Sequence, residues 1–114
     1  MLNGSGMETV LQLFIKFPQY NDYIPNLMAD PRMRIRLATT SIVEELVKVS
    51  PEHKKSISNA MLPLLSHSSH LVRGDAANLL AIAGGKMYLH KFRPLLNDPD
   101  PQVREVVQDI LAEL

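Results

Sequence analysis

The chain has 114 residues, of which 46% are hydrophobic, and this is enough for one domain with a buried core. It contains no cysteine, which excludes disulfides, thiol catalysis and cysteine-ligated metal and is compatible with a cytoplasmic location. The 12 basic and 12 acidic residues cancel, so non-specific attraction to nucleic acid or anionic lipid should be weak. No apolar run approaches the roughly 20 residues that span a bilayer. We therefore expect a soluble, cytoplasmic protein without a membrane partner.

The first six residues, Met1–Gly6, are small or polar apart from Met1 and Leu2. We interpret them as a flexible leader, which a cloning vector could have left, with Met7 as either a natural start or an internal residue. The remainder, 7–114, is expected to form one domain.

Helical periodicity dominates this remainder and predicts seven helices. The first runs from Met7 to Phe17 and is stopped by Pro18. Its apolar residues surround most of the helix, so we expect burial on more than one side. They are Val10, Leu11, Leu13, Phe14, Ile15 and Phe17.

The second and third predicted helices differ in length. The second is short, from Asp22 to Met28, with Pro25 in its first turn. The third runs from about Arg32 to Val49 and carries one apolar stripe. That stripe comprises Ile35, Ala38, Ile42, Val43, Leu46 and Val49.

The fourth helix should begin with Ser50 as N-cap and Pro51 at the first helical position. We expect it to reach Leu65 and to bend near Pro63.

The last three helices are predicted over His70–Ala83, over Lys86–Leu96, and from an Asp100-Pro101 cap to Leu114. Gly84-Gly85 is a C-terminal signal for the first of these. The inward positions are predicted to be Val72, Ala76, Leu79, Leu80 and Ala83, then Val103, Val107, Ile110, Leu111 and Leu114.

A three-fold internal repeat underlies this pattern. In each unit two apolar residues precede a polar turn, which is followed by an apolar residue and an arginine. The arginines are Arg36, Arg73 and Arg104, at spacings of 37 and 31 residues. The units cover about 20–49, 50–84 and 85–114. Repetition at this period indicates stacked helical units, which offer a surface for a partner more readily than an enclosed pocket.

The segment from Leu95 to Arg104, Leu-Leu-Asn-Asp-Pro-Asp-Pro-Gln-Val-Arg, resembles a HEAT repeat of the HEAT-like, PBS-lyase type. The resemblance covers about 22–114. It implies a short right-handed α-solenoid of about three helical hairpins plus an N-terminal helix. It also implies that the second helix of each hairpin lines a concave, protein-binding face. Two features depart from the repeat pattern and concern the regularity of the stack. No Asp-Pro precedes Leu71–Asp75, and the leading helix of the first unit is short.

A second stretch, Val72–Gly84, is similar to the HEAT-like tail of some bacterial thioredoxin-fold proteins. The chain has no thioredoxin domain and no Cys-x-x-Cys motif. Under this resemblance it would be an accessory domain of a larger redox or lyase enzyme. The apolar first helix would then be where the missing part packed.

The repeated arginines favour a structural function. One arginine recurs per unit, whereas an active-site arginine has no reason to recur at the stacking period. We predict a ladder of hydrogen bonds and ion pairs from these arginines to turn carboxylates such as Asp30, Asp75 and Asp98.

Each candidate enzyme motif is better explained by a structural role or lacks the partner residues that catalysis needs. His67 and His70 could bind metal from one helix, but they fall in a turn and no third ligand stands nearby. His53 and His90 have no serine or carboxylate at an informative spacing. HEAT-repeat iron hydroxylases need paired His-Glu steps, which are absent here, and nothing singles out a tetrapyrrole site. We predict no catalytic residue, metal or cofactor.

Nucleic-acid binding is an alternative. HEAT-like DNA glycosylases use a basic concave face, and basic residues here are Arg32, Arg34, Arg36, Lys48, Lys54 and Lys55. Against this, the chain lacks Trp and its last unit is acidic.

The favoured hypothesis is a non-catalytic interaction or scaffold module that binds a protein or peptide on the concave face. The outward positions of the second helices run from basic through small to acidic, which would suit an extended, polarised partner; a solvated face is the alternative. The first helix could add a further association surface. The predicted partner-binding residues are Arg34, Leu37, Ser41, Glu44, Glu45, Lys48, Leu71, Asn78, Gln102, Glu105, Gln108 and Asp109.

Overall fold

The computed structural model describes residues 4–114, and every regular element in that range is helical. The fold class is therefore all-α. The seven α-helices are α1 (Gly4–Lys16), α2 (Ile24–Met28), α3 (Met33–Val49), α4 (Lys54–Met61), α5 (His70–Gly84), α6 (Leu89–Phe92) and α7 (Pro101–Glu113).

The helix that starts the chain is longer than predicted. It begins at Gly4, three residues before the predicted start at Met7, so Gly4–Gly6 lie within α1. Residues 1–3 of the predicted leader lie outside the described part of the chain.

Prolines divide several predicted α-helices into α and 3₁₀ stretches. Four of the five 3₁₀ segments carry a proline in their first two positions. Proline lacks an amide hydrogen and fixes φ, so the α-helical ladder is interrupted and tighter turns take its place. The predicted helices 50–65 and 86–96 therefore contain only α4 and α6 as α-helix. The 3₁₀ segments are Pro18–Tyr23, Pro51–His53, Leu62–Ser66, Gly85–Tyr88 and Arg93–Asn97.

The helix ends show which terminal signals operate. Asp100 caps α7 as predicted, because its side chain accepts from the amides of Gln102 and Val103. Gly85 ends α5 with a φ of 58°, which favours glycine. Ser50 and Pro51 occupy the N-cap and first helical positions as predicted, but they begin the 3₁₀ segment Pro51–His53, and the Ser50 hydroxyl bonds to the carboxylate of Glu52 and to no helix amide.

The longer helices pack in chain order, with α1 against α3, α3 against α5, and α5 against α7. Helix α5 therefore has a long helix on each side, and α4 and the turn after it also contact it. All five predicted inward residues of α5 are buried, whereas Leu111 of α7 and Leu114, which follows that helix, are only half-buried. The middle of the chain thus supplies the centre of the core.

The buried face of α3 is rotated from the predicted one. Val43 and Leu46 are buried as predicted, but Val49 is 57% exposed. Arg36 and Thr39 are buried instead, since the Thr39 hydroxyl donates to a carbonyl one turn earlier and Arg36 has a carboxylate partner. Hydrogen bonding thus allows polar residues to occupy buried positions, which the apolar stripe in the sequence does not identify.

Helix α1 is not buried on more than one side. Leu11, Phe14 and Ile15 pack against the core, but none of the apolar side chains from Val10 onward is fully buried, and Leu13 is 42% exposed. The prediction from its all-round apolar composition is wrong for the described residues. Within residues 4–114, no helix combines the length and apolarity that a membrane crossing needs.

Candidate functional site

Each unit contains the same side-chain-capped turn before its second helix. A side chain accepts a hydrogen bond from the amide two residues later, as Asx turns do. The three bonds join Arg32 N to Asp30 Oδ1 at 2.8 Å, Ser69 N to His67 Nδ1 at 3.0 Å, and Asp100 N to Asp98 Oδ1 at 2.9 Å. The second unit therefore uses a histidine where the others use aspartate.

The repeated arginines hold the backbone of these turns. In every unit the arginine donates to the carbonyl oxygen of the residue that caps the turn, six positions earlier. The three bonds join Arg36 Nη1 to Asp30 O at 2.8 Å, Arg73 Nη1 to His67 O at 2.9 Å, and Arg104 Nη1 to Asp98 O at 2.6 Å. The identical offset shows that the sequence repeat is also a repeat of local geometry.

The guanidinium groups of Arg36 and Arg73 also reach towards the next unit. Arg36 Nε donates to Asp75 at 2.6 Å, and Arg73 binds both carboxylate oxygens of Asp98 at 2.9 Å. The predicted ladder is confirmed for these two arginines. Within residues 4–114, Arg104 donates to the carbonyl of Asp98 and to no carboxylate.

Two details of the predicted ladder are corrected. Asp75 lies within α5 and not in a turn; it supplies the acid that the turn lacks, since His67 occupies the aspartate position. The carboxylate of Asp30 pairs with Arg32 of its own turn, and hydrogen bonds from that arginine lower the pKa of Asp30 to about 2.

Asp98 is the most enclosed carboxylate of the ladder, with 4% of its side chain exposed. Hydrogen bonds from Arg73 hold the pKa of Asp98 below its ordinary value of 3.8, and these outweigh the opposing effect of burial. Burial without this partner would favour the neutral acid. Asp98 therefore contributes to stability in its charged form.

The sign of its pH dependence follows from the lowered pKa. The contribution of Asp98 should be complete above pH 3.8 and should be lost as the pH falls through the lower folded-state pKa. Arg73→Ala should raise the pKa of Asp98, which carboxyl chemical shifts in an NMR titration would measure. Arg104→Ala serves as the matched control with a smaller effect; an unchanged Asp98 pKa in the Arg73 variant would contradict this account.

His67 and His70 both make contacts at the capped turns described above. His67 caps its turn, and His70 Nδ1 lies 3.8 Å from Asp100. Across the described residues, no three His, Asp or Glu side chains lie close enough to hold a metal ion.

A groove runs between α5 and α7. It consists of two adjoining cavities of about 290 Å³ each, and Gly74 and Val106 belong to both. The remaining lining residues are His70, Leu71, Asp75, Asn78, Gln102, Val103, Glu105, Asp109, Ile110 and Glu113. Five of the predicted partner-binding residues, Leu71, Asn78, Gln102, Glu105 and Asp109, are thus brought together.

The other predicted residues are dispersed. Glu44 and Lys48 line a separate cavity of about 400 Å³ between α3 and α5. Lys48 lies 3.4 Å from the half-buried Glu45. Arg34, Leu37, Ser41 and Gln108 are exposed and line none of the cavities described here.

Half of the six basic residues proposed for nucleic acid, Arg32, Arg36 and Lys48, are engaged in ion pairs. Arg36 is 2% exposed and bound to Asp75, and Arg32 is paired with Asp30. Lys54 and Lys55 begin α4 and line a different cavity from the groove. The groove itself contains four carboxylates, which opposes binding of a phosphate backbone.

One further cavity was not predicted from the sequence. It has a volume of about 620 Å³ and lies between the start of α4 and the end of α5. Its residues come from two segments, 51–58 and 81–88, which are 23 or more positions apart and share no motif, so only the packing brings them together.

Comparisons of the chain with protein-family models, with curated proteins and with solved structures found no significant match.

Proposed function

We propose that this chain is a non-catalytic interaction module, a short HEAT-like α-solenoid that binds a segment of a partner protein in the groove between α5 and α7. The partner segment would carry basic side chains around at least one apolar side chain. The observation that carries the proposal is the buried glycine at the floor of the groove. A cytoplasmic location, compatible with the absence of cysteine, belongs to the same proposal.

Gly74 lies in the interior of the 15-residue helix α5, where glycine is unfavourable. Glycine destabilises a helix interior by about 1 kcal/mol relative to alanine. Space does not require it, because a Cβ at this position would lie 3.9 Å from Val106 Cγ2, an ordinary contact. The missing side chain instead leaves the groove open over Val106 and beside Leu71, which is 43% exposed. An apolar side chain from a partner would fill that space.

The charges around the groove favour a particular charge on the partner segment. Glu105, Asp109 and Glu113 are exposed acids along α7, and Asp75 faces them from α5. The ion pair with Arg36 offsets the charge of Asp75, so the α7 acids dominate the rim. A basic segment is therefore favoured, and electrostatic attraction should increase its association rate.

The ladder supports the non-catalytic part of the proposal. The guanidinium groups of Arg36 and Arg73 donate hydrogen bonds to turn carbonyls and to carboxylates of the next unit. Groups engaged in this way stabilise packing and are unavailable to a substrate.

Filling the groove is the first test. Peptides selected by phage display against the wild-type protein should carry lysine or arginine near an apolar residue. Gly74→Met should weaken their binding by about tenfold or more, because its side chain would occupy the floor of the groove. Gly74→Ala is the matched control for folding and should raise the free energy of unfolding by about 0.5–1 kcal/mol. Fluorescence anisotropy and urea denaturation would measure the two effects. Equal affinity for wild type and Gly74→Met would place the peptide site elsewhere.

Charge reversal on α7 is the second test. Glu105→Lys with Asp109→Lys should weaken the selected peptides and leave the melting temperature nearly unchanged, because exposed helix charges contribute little to stability. The weakening should diminish above physiological salt, where the screening length falls below about 8 Å. Asp22→Lys, an exposed acid on another part of the chain, should have no effect on binding. Enrichment of acidic peptides, or an affinity that ignores the α7 reversal, would contradict the proposal.

A further inference from the structure

The cavity between the start of α4 and the end of α5 shares no residue with the α5–α7 groove. At about 620 Å³ it falls within the roughly 300–1,000 Å³ typical of small-molecule sites. The start of α4, the end of α5 and the turn after it form its walls. Its lining residues are Pro51, Glu52, Lys54, Lys55, Ser58, Ala81, Ile82, Ala83, Gly84, Gly85, Met87 and Tyr88.

One wall of this cavity is built by a close approach of Tyr88 to Gly84. A Cβ on Gly84 would lie 2.3 Å from Tyr88 Cδ2, so the ring takes the space of a side chain. Gly85, with its φ of 58°, turns the chain so that the ring returns over α5. The Tyr88 ring also stacks on His90, with ring centroids 6.4 Å apart. The Tyr88 ring therefore packs on Gly84 and also contacts the ring of His90.

The mouth of the cavity is basic. Lys54 and Lys55 are both exposed at its rim. Glu52, the one acid among the lining residues, accepts a hydrogen bond from the Ser50 hydroxyl, and this lowers its pKa. Glu52 is therefore ionised, but the two ammonium groups outnumber this one carboxylate, so the rim carries a net positive charge beside an apolar interior.

The apolar space continues towards α3. The cavity of about 400 Å³ between α3 and α5 shares Pro51, Lys54 and Ile82 with the larger one. It adds Val47, Glu44 and a third lysine, Lys48, whose ammonium group lies 3.4 Å from the carboxylate of Glu45. Lys54 thus stands where the two cavities meet, within reach of a ligand in either.

We infer that this cavity binds a small organic anion with an apolar body. The anionic group pairs with Lys54 and Lys55, while the apolar body covers Ile82 and the ring of Tyr88. A neutral apolar molecule would leave the lysine rim unused, and a cationic amphiphile would be repelled by it. The site is independent of the protein-binding groove proposed above.

Binding is tested with dodecanoate as the probe, used below its micellar concentration and followed by displacement of anilinonaphthalene sulfonate and by amide NMR shifts. Wild type should bind saturably, with shifts around Ile82 and Tyr88. Dodecyltrimethylammonium, which has the same chain and the opposite charge, should bind at least about tenfold more weakly.

Two variants locate the anion and the apolar body. Lys54→Glu with Lys55→Glu should weaken dodecanoate by about tenfold or more, whereas Lys91→Glu, an exposed lysine outside the cavity, should not. Ala81→Leu should also weaken binding by filling the apolar interior. Near-UV circular dichroism would verify that each variant keeps its native packing. Absence of saturable binding to wild type, equal binding of the cationic amphiphile, or indifference to the Lys54 and Lys55 reversal would each overturn the inference.

Discussion

Leu80→Ala should lower the free energy of unfolding by about 2–5 kcal/mol, the usual result of emptying a buried leucine site. Leu80 is 0% exposed and lies in α5, which packs against α3 on one side and α7 on the other. The cavity would therefore open where neighbouring units meet, and the surrounding helices could not all close on it. Urea denaturation followed by circular dichroism would measure the loss.

Leu71→Ala is the matched control on the same helix. Leu71 is 43% exposed, so its truncation should change stability by less than about 1 kcal/mol. If Leu80→Ala lowered the free energy of unfolding no more than Leu71→Ala, the burial of Leu80 between neighbouring units would be contradicted.

Arg73→Ala should be the most damaging change in the ladder, at about 3 kcal/mol. It removes both hydrogen bonds to Asp98 and leaves that carboxylate buried without its cation, a situation that typically costs about 3–5 kcal/mol. Arg104→Ala should cost only about 1 kcal/mol, since its hydrogen bond is to the carbonyl of Asp98. The comparison is made by equilibrium unfolding at neutral pH.

A double-mutant cycle with Asp98→Asn would separate the ion pair from the turn. The asparagine can still accept the amide of Asp100 but carries no charge, so much of the loss in Arg73→Ala should disappear in the double variant. Equal, negligible effects of Arg73→Ala and Arg104→Ala would show that the ladder does not stabilise the stack.

The candidate surface could be predicted residue by residue but not as a site. Eleven of its twelve predicted residues are exposed and Glu45 is half-buried, because helical periodicity separates inner from outer positions. Which of them meet depends on how α5 lies against α7, and this assembled only Leu71, Asn78, Gln102, Glu105 and Asp109 into a groove. Gly74 became its floor for the same reason.

The sequence by itself determined the features that local chemistry controls. Helical periodicity set the all-α class and the inner face of α5. The recurring arginine set the register of the three turns, Asp100 the start of α7, and Gly85 the end of α5. Each depends on residues within about six positions of one another, so the pattern can be read along the chain.

Only the tertiary structure decided how these parts face one another. It paired Arg36 with Asp75, 39 residues away, because His67 occupies the position where a turn aspartate would stand. It left one side of α1 uncovered despite an apolar composition, because α1 packs on the units along a single side. It also formed the two-lysine cavity from α4 and α5. Such outcomes depend on long-range packing and hydrogen-bond satisfaction, which the order of residues along one helix does not specify.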